Sequence, residues 1–218
     1  NYTDLPVYDL EDLNAIKSHV LRLMEHETPK LNGLVLVGGK SIRMGVDKAQ
    51  LVYHGIPQSD FSVQLLEKKG LQTFVSVRES QKIEKHKTIT DVFLGLGPFG
   101  AICSAFRKNP NEAYLVLATD LPYVSDEVID MLILLRNPKK IATAIKGKSS
   151  KFMEPLIAIW EPKSYPVLLS YLAQGYSCPR KILINSDVEL IEVEDTLIRN
   201  VNTREEFEAV KIELNTIK

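Results

Sequence analysis

A pair of glycines followed by spaced cations is the stretch of this sequence with the clearest chemistry. An apolar run ends at Val37 and predicts a buried strand. Gly38 and Gly39 follow, and glycines at a strand end let backbone N–H groups approach a ligand closely. Arg43 and Lys48 lie farther along the loop and suit the charges of a polyphosphate. The stretch predicts a nucleotide-phosphate site, although the strict P-loop pattern is absent and a glycine-rich turn with solvated cations is the alternative.

A carboxylate at the end of a second apolar run is the next candidate. The run Ala113–Ala118 predicts another buried strand, and Pro122 ends it by restricting the residue before it to an extended conformation. A carboxylate at such a strand end is unfavourable unless water, a partner or a cation stabilises it. Mg²⁺ prefers one or two carboxylates with phosphate oxygens and waters. Asp120 is therefore a candidate Mg²⁺ ligand, and an aspartate that caps the start of a loop is the structural alternative.

The glycine-rich stretch Gly95–Gly100 matches a dinucleotide-binding fingerprint, with Asp120 at about the expected distance beyond it. That fingerprint requires a strand that runs directly into the glycines, and no convincing long strand precedes them. Pro98 suits the first position of a helix better than a pyrophosphate-binding turn. We therefore reject a nicotinamide-cofactor site and predict a helix that begins at Pro98, with free N–H groups for a phosphate or a base edge.

Strand-like and helix-like segments alternate from about residue 31 onward. The predicted strands lie at about 32–37, 72–77, 113–118, 141–145, 155–160 and 188–193. The predicted helices lie at about 59–69, 98–108, 125–136, 163–173 and 203–214. This alternation indicates βαβ units and a mostly parallel sheet with helices on both faces. Ligands of such sheets bind outside the carboxyl ends of the strands, where the candidate loops begin.

The first 30 residues differ from the alternating pattern. Apolar residues at helical spacing predict an amphipathic helix at about 9–27, which Thr28 and Pro29 end. We therefore divide the chain into an extra N-terminal helix or linker, residues 1–30, and one α/β domain, residues 31–218. A helix that packs on the outside of the same domain is the alternative.

Composition narrows the classes of protein to which the chain can belong. Its 218 residues carry a net charge of −1, with 25% charged residues and no long basic block, which disfavours a nucleic-acid-binding protein. No stretch has the length of a membrane span or the form of a signal peptide. Cys103 and Cys178 lack metal-ligand spacing and indicate reduced thiols, so we expect a cytoplasmic protein.

Residues 36–48 resemble the signature loop of a known family. They read Leu-Val-Gly-Gly-Lys-Ser-Ile-Arg-Met-Gly-Val-Asp-Lys and resemble the molybdenum cofactor guanylyltransferases, within the nucleotidyltransferase family. The family's loop runs Leu-Ala-Gly-Gly, three variable residues, Arg-Met-Gly, one variable residue, Asp-Lys, so that only Val37 departs. The resemblance extends from about Leu31 to the last helix. It implies a three-layer Rossmann-like fold of the glycosyltransferase-A type, with a mostly parallel sheet and helices on both faces.

The resemblance also implies roles for individual residues. Asp91 with Gly97 and Pro98 resembles the motif that holds the guanosine end of the nucleotide, and Asp120 matches the metal ligand. The implied catalytic residues are Arg43, Lys48 and Asp120. The implied GTP-binding residues are Leu36, Val37, Gly38, Gly39, Lys48, Ser76, Asp91, Gly97, Pro98 and Asp120. Glu154, Asn200 and Asn202 would face the acceptor, although Thr203 or Asn202 as a helix cap is a sufficient structural reason for the last motif.

The implied reaction is transfer of GMP from GTP to molybdopterin or the molybdenum cofactor, with release of pyrophosphate and with Mg²⁺ as the cofactor. Gly38 and Gly39 favour GTP over CTP, whereas Ser76 stands where relatives often carry an asparagine. One alternative is a related transferase that uses CTP or another acceptor, and the other is a non-catalytic nucleotide-binding module. We expect a monomer that contacts other cofactor-biosynthesis or acceptor proteins and binds neither nucleic acid nor membrane.

Overall fold

The computed structural model describes residues 9, 12–37, 48–81, 83–201 and 203–216, and the side chains of residues 21–27, 48, 215 and 216 lie outside this description. The described strands are β1 (Leu31–Leu36), β2 (Gln72–Val77), β3 (Thr88–Thr90), β4 (Ala113–Ala118), β5 (Ala142–Gly147), β6 (Glu154–Trp160) and β7 (Val188–Val193). The described helices are α1 (Leu13–Glu27), α2 (Gln58–Glu67), α3 (Pro98–Lys108), α4 (Asp126–Leu134), α5 (Ser164–Ala173), α6 (Pro179–Ile184) and α7 (Arg204–Thr216). Short 3₁₀ turns occupy Lys48–Gln50 and Asp195–Ile198.

The described strands form one sheet in the order β3-β2-β1-β4-β6-β5-β7. β6 is antiparallel to its neighbours β4 and β5, and all the other pairings are parallel. The carboxyl ends of β1, β2, β3 and β4 consequently meet at one edge of the sheet, together with the amino end of β6. We call this the carboxyl edge.

Alternation of side chains along each strand explains why both faces of the sheet are covered. Val35 points into a core that includes residues of α2 and α4. Leu34 and Leu36 point into a second core, which includes residues of α3, α5 and α6. A strand that is apolar on both faces is typical of the interior of a parallel sheet. The arrangement confirms the predicted three-layer fold with a mostly parallel sheet.

β3 and α6 were not predicted from the sequence pattern. β3 has three residues at the outer edge of the sheet and is too short to produce a periodic pattern. α6 has six residues, which is less than two helical turns. α1 begins at Leu13, later than the predicted start near residue 9. The reversed direction of β6 has no signal in its residues either, because an apolar strand reads alike in both directions.

Two further expectations concern the thiols and the membrane. Cys103 is buried, Cys178 is exposed, and both thiols are free. Burial raises the pKa of the Cys103 thiol to about 12, which keeps it protonated. Among the described helices, none combines the length and the apolar character needed to cross a bilayer.

Candidate active site

The carboxyl edge brings together predicted residues from five neighbouring strands. Parallel strands end at the same edge, and an antiparallel neighbour begins there. Residues that are far apart in the sequence therefore become adjacent. In spatial order, the edge presents Asp91 after β3, Ser76 on β2, Leu36 and Val37 at the end of β1, Asp120 after β4, and Glu154 at the start of β6.

Ser76 and Asp91 form a polar pair on one side of β1. Ser76 is 4% exposed, and its hydroxyl donates a hydrogen bond of 2.6 Å to Oδ1 of Asp91. Burial raises the pKa of Asp91 above its ordinary value, although the Ser76 hydrogen bond and the positive charge of Arg78 act in the opposite direction. When ionised, the Asp91 carboxylate has further lone pairs that can accept hydrogen bonds from a bound base.

Helix α3 begins at Pro98, as the sequence analysis predicts. Gly97 precedes it with a φ of 56°, in the left-handed region that glycine adopts without strain. Pro98 lies in the first turn, where its missing N–H group sacrifices no intrahelical hydrogen bond. Because Gly97 has no side chain to cap the helix, N–H groups of the first turn can bind a ligand, and the helix dipole favours an anion there.

The loop before α3 is fixed to the first turns of the helix. A Cβ at Gly100 would lie 2.3 Å from the carbonyl oxygen of Phe93, so this close approach requires glycine. One turn later, the Ser104 hydroxyl accepts a hydrogen bond of 2.9 Å from the backbone N–H of Val92. The same hydroxyl donates a hydrogen bond of 2.7 Å to the Gly100 carbonyl oxygen. These contacts hold the loop that connects Asp91 to α3.

Asp120 follows β4 on the other side of β1 and is partly buried. Its carbonyl oxygen accepts a hydrogen bond of 2.9 Å from the backbone N–H of Val201. Its charge acts on two neighbours. Burial is the main cause that raises the pKa of Tyr53 and of Glu154, and the negative charge of Asp120 raises both further. Asp120 therefore contributes negative charge at the middle of the carboxyl edge.

Glu154 adds a second carboxylate and has a cationic partner. Arg180, on α6, donates from Nη2 to the two carboxylate oxygens of Glu154, at 3.1 and 3.2 Å. Burial nevertheless keeps the pKa of Glu154 raised. Mg²⁺ takes one or two carboxylates and completes its coordination with phosphate oxygens and waters. Asp120 and Glu154 are donors of this kind, so the residues present fit a divalent cation.

The segment before α7 lies against Asp120. Asn200 is exposed, and the next residue, Val201, makes the backbone contact with Asp120. Thr203 and Glu206 form a capping box, in which Glu206 N–H donates to Thr203 Oγ1 at 3.2 Å and Thr203 N–H donates to Glu206 Oε2 at 3.1 Å. The prediction that Thr203 or Asn202 caps the last helix is confirmed for Thr203.

Some predicted site residues lie outside the described residues, and their roles stay predictions. These are Gly38, Gly39, Arg43 and Asn202, together with the side chain of Lys48. Three further residues shape the carboxyl edge and were not predicted from the sequence, namely Gly100, Ser104 and Arg180. Gly100 ends the glycine-rich stretch Gly95–Gly100, and this pattern is the signal from which a close backbone approach could have been predicted. Arg180 gives no comparable signal, because it lies on a helix that is too short to predict.

Comparisons with known proteins agree with this architecture. A family model described as MobA-like NTP transferase domain matches residues 33–189. A bifunctional molybdenum cofactor biosynthesis protein from Synechocystis sp. is 34% identical over 186 residues, which cover 83% of this chain and 53% of that protein, so the chain spans about half its length. A molybdenum cofactor guanylyltransferase from Campylobacter jejuni is 29% identical over 190 residues, 85% of this chain and 97% of that protein. The crystal structure of molybdopterin-guanine dinucleotide biosynthesis protein A from Archaeoglobus fulgidus has a TM-score of 0.69 at 22% identity, covers 85% of this chain and 99% of its own, and supports the fold.

Proposed function

Because the chain belongs to the MobA-like NTP transferase domain family, we propose that it transfers GMP from GTP to molybdopterin or the molybdenum cofactor and releases pyrophosphate. The names of the Synechocystis and Campylobacter relatives support this proposal. So does the carboxyl edge, where the Ser76–Asp91 pair lies on one side of β1 and Asp120 with Glu154 on the other. A nucleotide across the end of β1 would reach both groups at once.

We assign the guanosine end of GTP to the side of β2 and β3. Guanine carries N–H donors on its edge, and an ionised Asp91, oriented by Ser76, accepts such hydrogen bonds. The N-terminus of α3 would face the sugar or a phosphate. The residues assigned to this end are Ser76, Asp91, Gly97 and Pro98. Backbone N–H groups around Gly38 and Gly39, after Leu36 and Val37, would cradle the nucleotide.

The triphosphate would lie between the ends of β1 and β4. Arg43 and Lys48 would bind its oxygens, and Asp120 would hold Mg²⁺. Enzymes of this family are typically metal-dependent. When bound, the ion neutralises and polarises phosphate oxygens. The side chains of this site align the reactants and stabilise the charge that develops during transfer.

The proposed transfer is a substitution at the α-phosphorus of GTP. An oxygen of the acceptor's phosphate forms a bond to that phosphorus, while the bond to the oxygen that bridges to the β-phosphate breaks and pyrophosphate leaves. The acceptor phosphate is already ionised, so no side chain has to remove a proton. Glu154, Asn200 and Asn202 are assigned to the acceptor side.

Pyrophosphate release from individual nucleotides tests this proposal. The protein is incubated with Mg²⁺ and molybdopterin, and GTP, CTP, ATP or UTP is supplied separately. We expect release with GTP alone. A preference for CTP would identify a cytidylyl transferase, the alternative left open because Ser76 stands where relatives often carry an asparagine that contacts the nucleotide. Tight nucleotide binding without release would contradict the transfer reaction and favour a binding module.

The substitution Asp120→Asn tests the assigned metal ligand in the same assay. It removes a charge at nearly constant size, so we expect metal-dependent turnover to fall by about 10²–10³-fold, the usual range for a lost electrostatic contribution. The variant should also lower the pKa of Glu154, which the charge of Asp120 raises, and NMR titration can measure this change. Asp187→Asn, which removes an exposed carboxylate paired with Lys140, is the control. Wild-type turnover in Asp120→Asn would contradict the assignment.

A further inference from the structure

Three side chains from separate segments join the loop that carries Asp120 to the last helix. Tyr123 belongs to that loop, Arg199 follows the 3₁₀ turn Asp195–Ile198, and Glu213 lies on α7. Arg199 Nη2 donates to Glu213 Oε2 at 2.6 Å and also to the Tyr123 hydroxyl, which donates to the same Glu213 oxygen. The Arg199 guanidinium lies 4.5 Å from the centre of the Tyr123 ring. We call these three side chains the clasp.

The charges of the clasp are compatible at neutral pH. The hydrogen bonds from Tyr123 and Arg199 lower the pKa of Glu213, so its carboxylate is ionised. Burial, and after it the contact with Glu213, raises the pKa of Tyr123 to about 12. The phenol therefore keeps the proton that it donates. Each group is in the ionisation state that its partners require.

The clasp borders a backbone contact at the proposed metal site. Val201 N–H donates to the Asp120 carbonyl oxygen at 2.9 Å, and Val201 is 1% exposed. Tyr123 is three residues beyond Asp120, and Arg199 is two residues before Val201, so the clasp holds both chain segments that make this hydrogen bond. The Val201 side chain packs in a small apolar cluster with Leu51, Tyr53 and Val210, against which Tyr123, Phe207 and Leu214 also pack.

We propose that Tyr123, Arg199 and Glu213 are positioning residues for nucleotidyl transfer, an inference that rests on the proposed function. They hold the backbone of Asp120 against Val201 and thereby set the direction of the Asp120 carboxylate and of the neighbouring Asn200. Exposed ion pairs add little to stability, so the main effect of the clasp is on geometry. Misplacement of a catalytic group by about 1 Å can reduce a rate about 100-fold.

Hydrogen exchange of the Val201 amide tests the clasp without any substrate. Glu213→Gln keeps the size of the side chain and removes its charge. We expect about two- to fivefold faster exchange of this amide, because its hydrogen bond opens more often once the partly exposed clasp is weakened. Glu192→Gln is the matched control. Glu192 lies on β7, the last strand of the sheet, and forms an exposed ion pair with Lys146 on β5. We expect no change at Val201 in that variant. Tyr123→Phe, which retains the ring and removes the hydroxyl, is the second test if Glu213→Gln unfolds.

Kinetics then separate positioning from simple stability. In Glu213→Gln we expect a several-fold higher half-saturating Mg²⁺ concentration and a lower kcat. At saturating Mg²⁺ the KM for GTP should change little, because Ser76 and Asp91 lie on the opposite side of β1. Loss of folded protein alone would lower kcat without moving the Mg²⁺ dependence. Unchanged exchange at Val201, or faster exchange with an unchanged Mg²⁺ dependence, would overturn this inference. Absence of transfer by the wild-type protein would instead overturn the proposed function, and the exchange result would still stand.

Discussion

The hydroxyl of Ser76 points to a carboxylate and not toward open solvent. It is almost fully buried and hydrogen-bonds Asp91 at 2.6 Å. Serine has a shorter reach and fewer hydrogen-bonding groups than the asparagine that relatives often carry at this position. In this chain the residue therefore acts through Asp91, which it orients and whose pKa it lowers. The departure from the family pattern therefore coincides with a Ser76–Asp91 hydrogen bond at the proposed nucleotide end of the site.

Ser76→Ala should shift the pH dependence of nucleotide use. Removal of the hydroxyl raises the pKa of Asp91 further, because the hydrogen bond from Ser76 stabilises the ionised form. If the ionised carboxylate binds guanine, the acid limb of kcat/KM for GTP moves to higher pH, by about half to one pH unit for a hydrogen bond worth about 1 kcal/mol. Steady-state kinetics between about pH 4 and 8 measures this limb.

Ser76→Thr is the control for that shift, because it retains the hydroxyl and should keep the acid limb close to its wild-type position. An acid limb that stays in place in Ser76→Ala would show that Asp91 does not act as an ionised ligand of GTP. The Asp91 assignment would then be wrong, whereas Asp120 and the transfer reaction would be unaffected.

At the scale of elements, α3 forms the side of the carboxyl edge that we propose for the nucleotide. Its first turns pack so closely on the preceding loop that Gly100 has no room for a Cβ. Ser104 then connects helix and loop through two hydrogen bonds. The helix start was predictable, because Pro98 after a glycine is a strong local signal. The packing of the loop on the helix was not predictable. It depends on the backbone carbonyl group of Phe93, and because every residue has such a group, the sequence carries no signal for this contact.

Ser104→Ala should weaken both stability and GTP binding. The substitution removes the partner of the Val92 N–H group in a partly exposed segment, which costs about 0.5–1.5 kcal/mol of unfolding free energy. It also releases the loop between Asp91 and Pro98, so we expect a several-fold higher KM for GTP. Urea unfolding and steady-state kinetics measure the two effects.

Ser164→Ala provides a matched comparison on the same face of the sheet. Ser164 is fully buried at the start of α5 and donates a hydrogen bond of 2.7 Å to the Glu161 carbonyl oxygen. It should therefore lose a similar unfolding free energy while the KM for GTP remains unchanged. Equal KM values in the Ser104 and Ser164 variants would contradict a role of the Ser104 contacts in nucleotide binding.

Across the whole molecule, local sequence patterns predict the strand ends that carry the candidate residues better than they predict which residues become neighbours in the fold. Asp120 is predictable because a long apolar strand ends abruptly at Pro122. The Ser76–Asp91 pair depends on β3, whose three residues show no pattern. Glu154 reaches the carboxyl edge only because β6 runs antiparallel to β4, and strand direction is a property of the assembled sheet. Local sequence patterns therefore could not predict the contacts between segments that are distant in the sequence.

The opposite end of the strands contains a buried ion pair, whose loss should affect stability and not substrate binding. Arg136 donates to both carboxylate oxygens of Glu161, at 2.7 and 2.9 Å, and Glu161 is fully buried. Arg136 also donates to the carbonyl oxygen of Pro29 at 2.8 Å. Pro29 precedes β1 and Glu161 follows the antiparallel β6, so this pair lies at the amino ends of the parallel strands. It joins two strands far from Asp91 and Asp120.

Arg136→Leu should therefore destabilise the protein without changing substrate affinity. Removal of one partner leaves the Glu161 carboxylate buried and uncompensated, which typically costs about 3–5 kcal/mol, so the midpoint of urea unfolding falls sharply. Asp187→Asn removes an exposed ion pair with Lys140 and should cost less than about 1 kcal/mol. For the fraction of Arg136→Leu that remains folded, we expect wild-type KM values for GTP and Mg²⁺. A raised KM in that folded fraction would contradict the separation of the two edges, because a change at the amino ends would then have reached the carboxyl edge through the intervening strands.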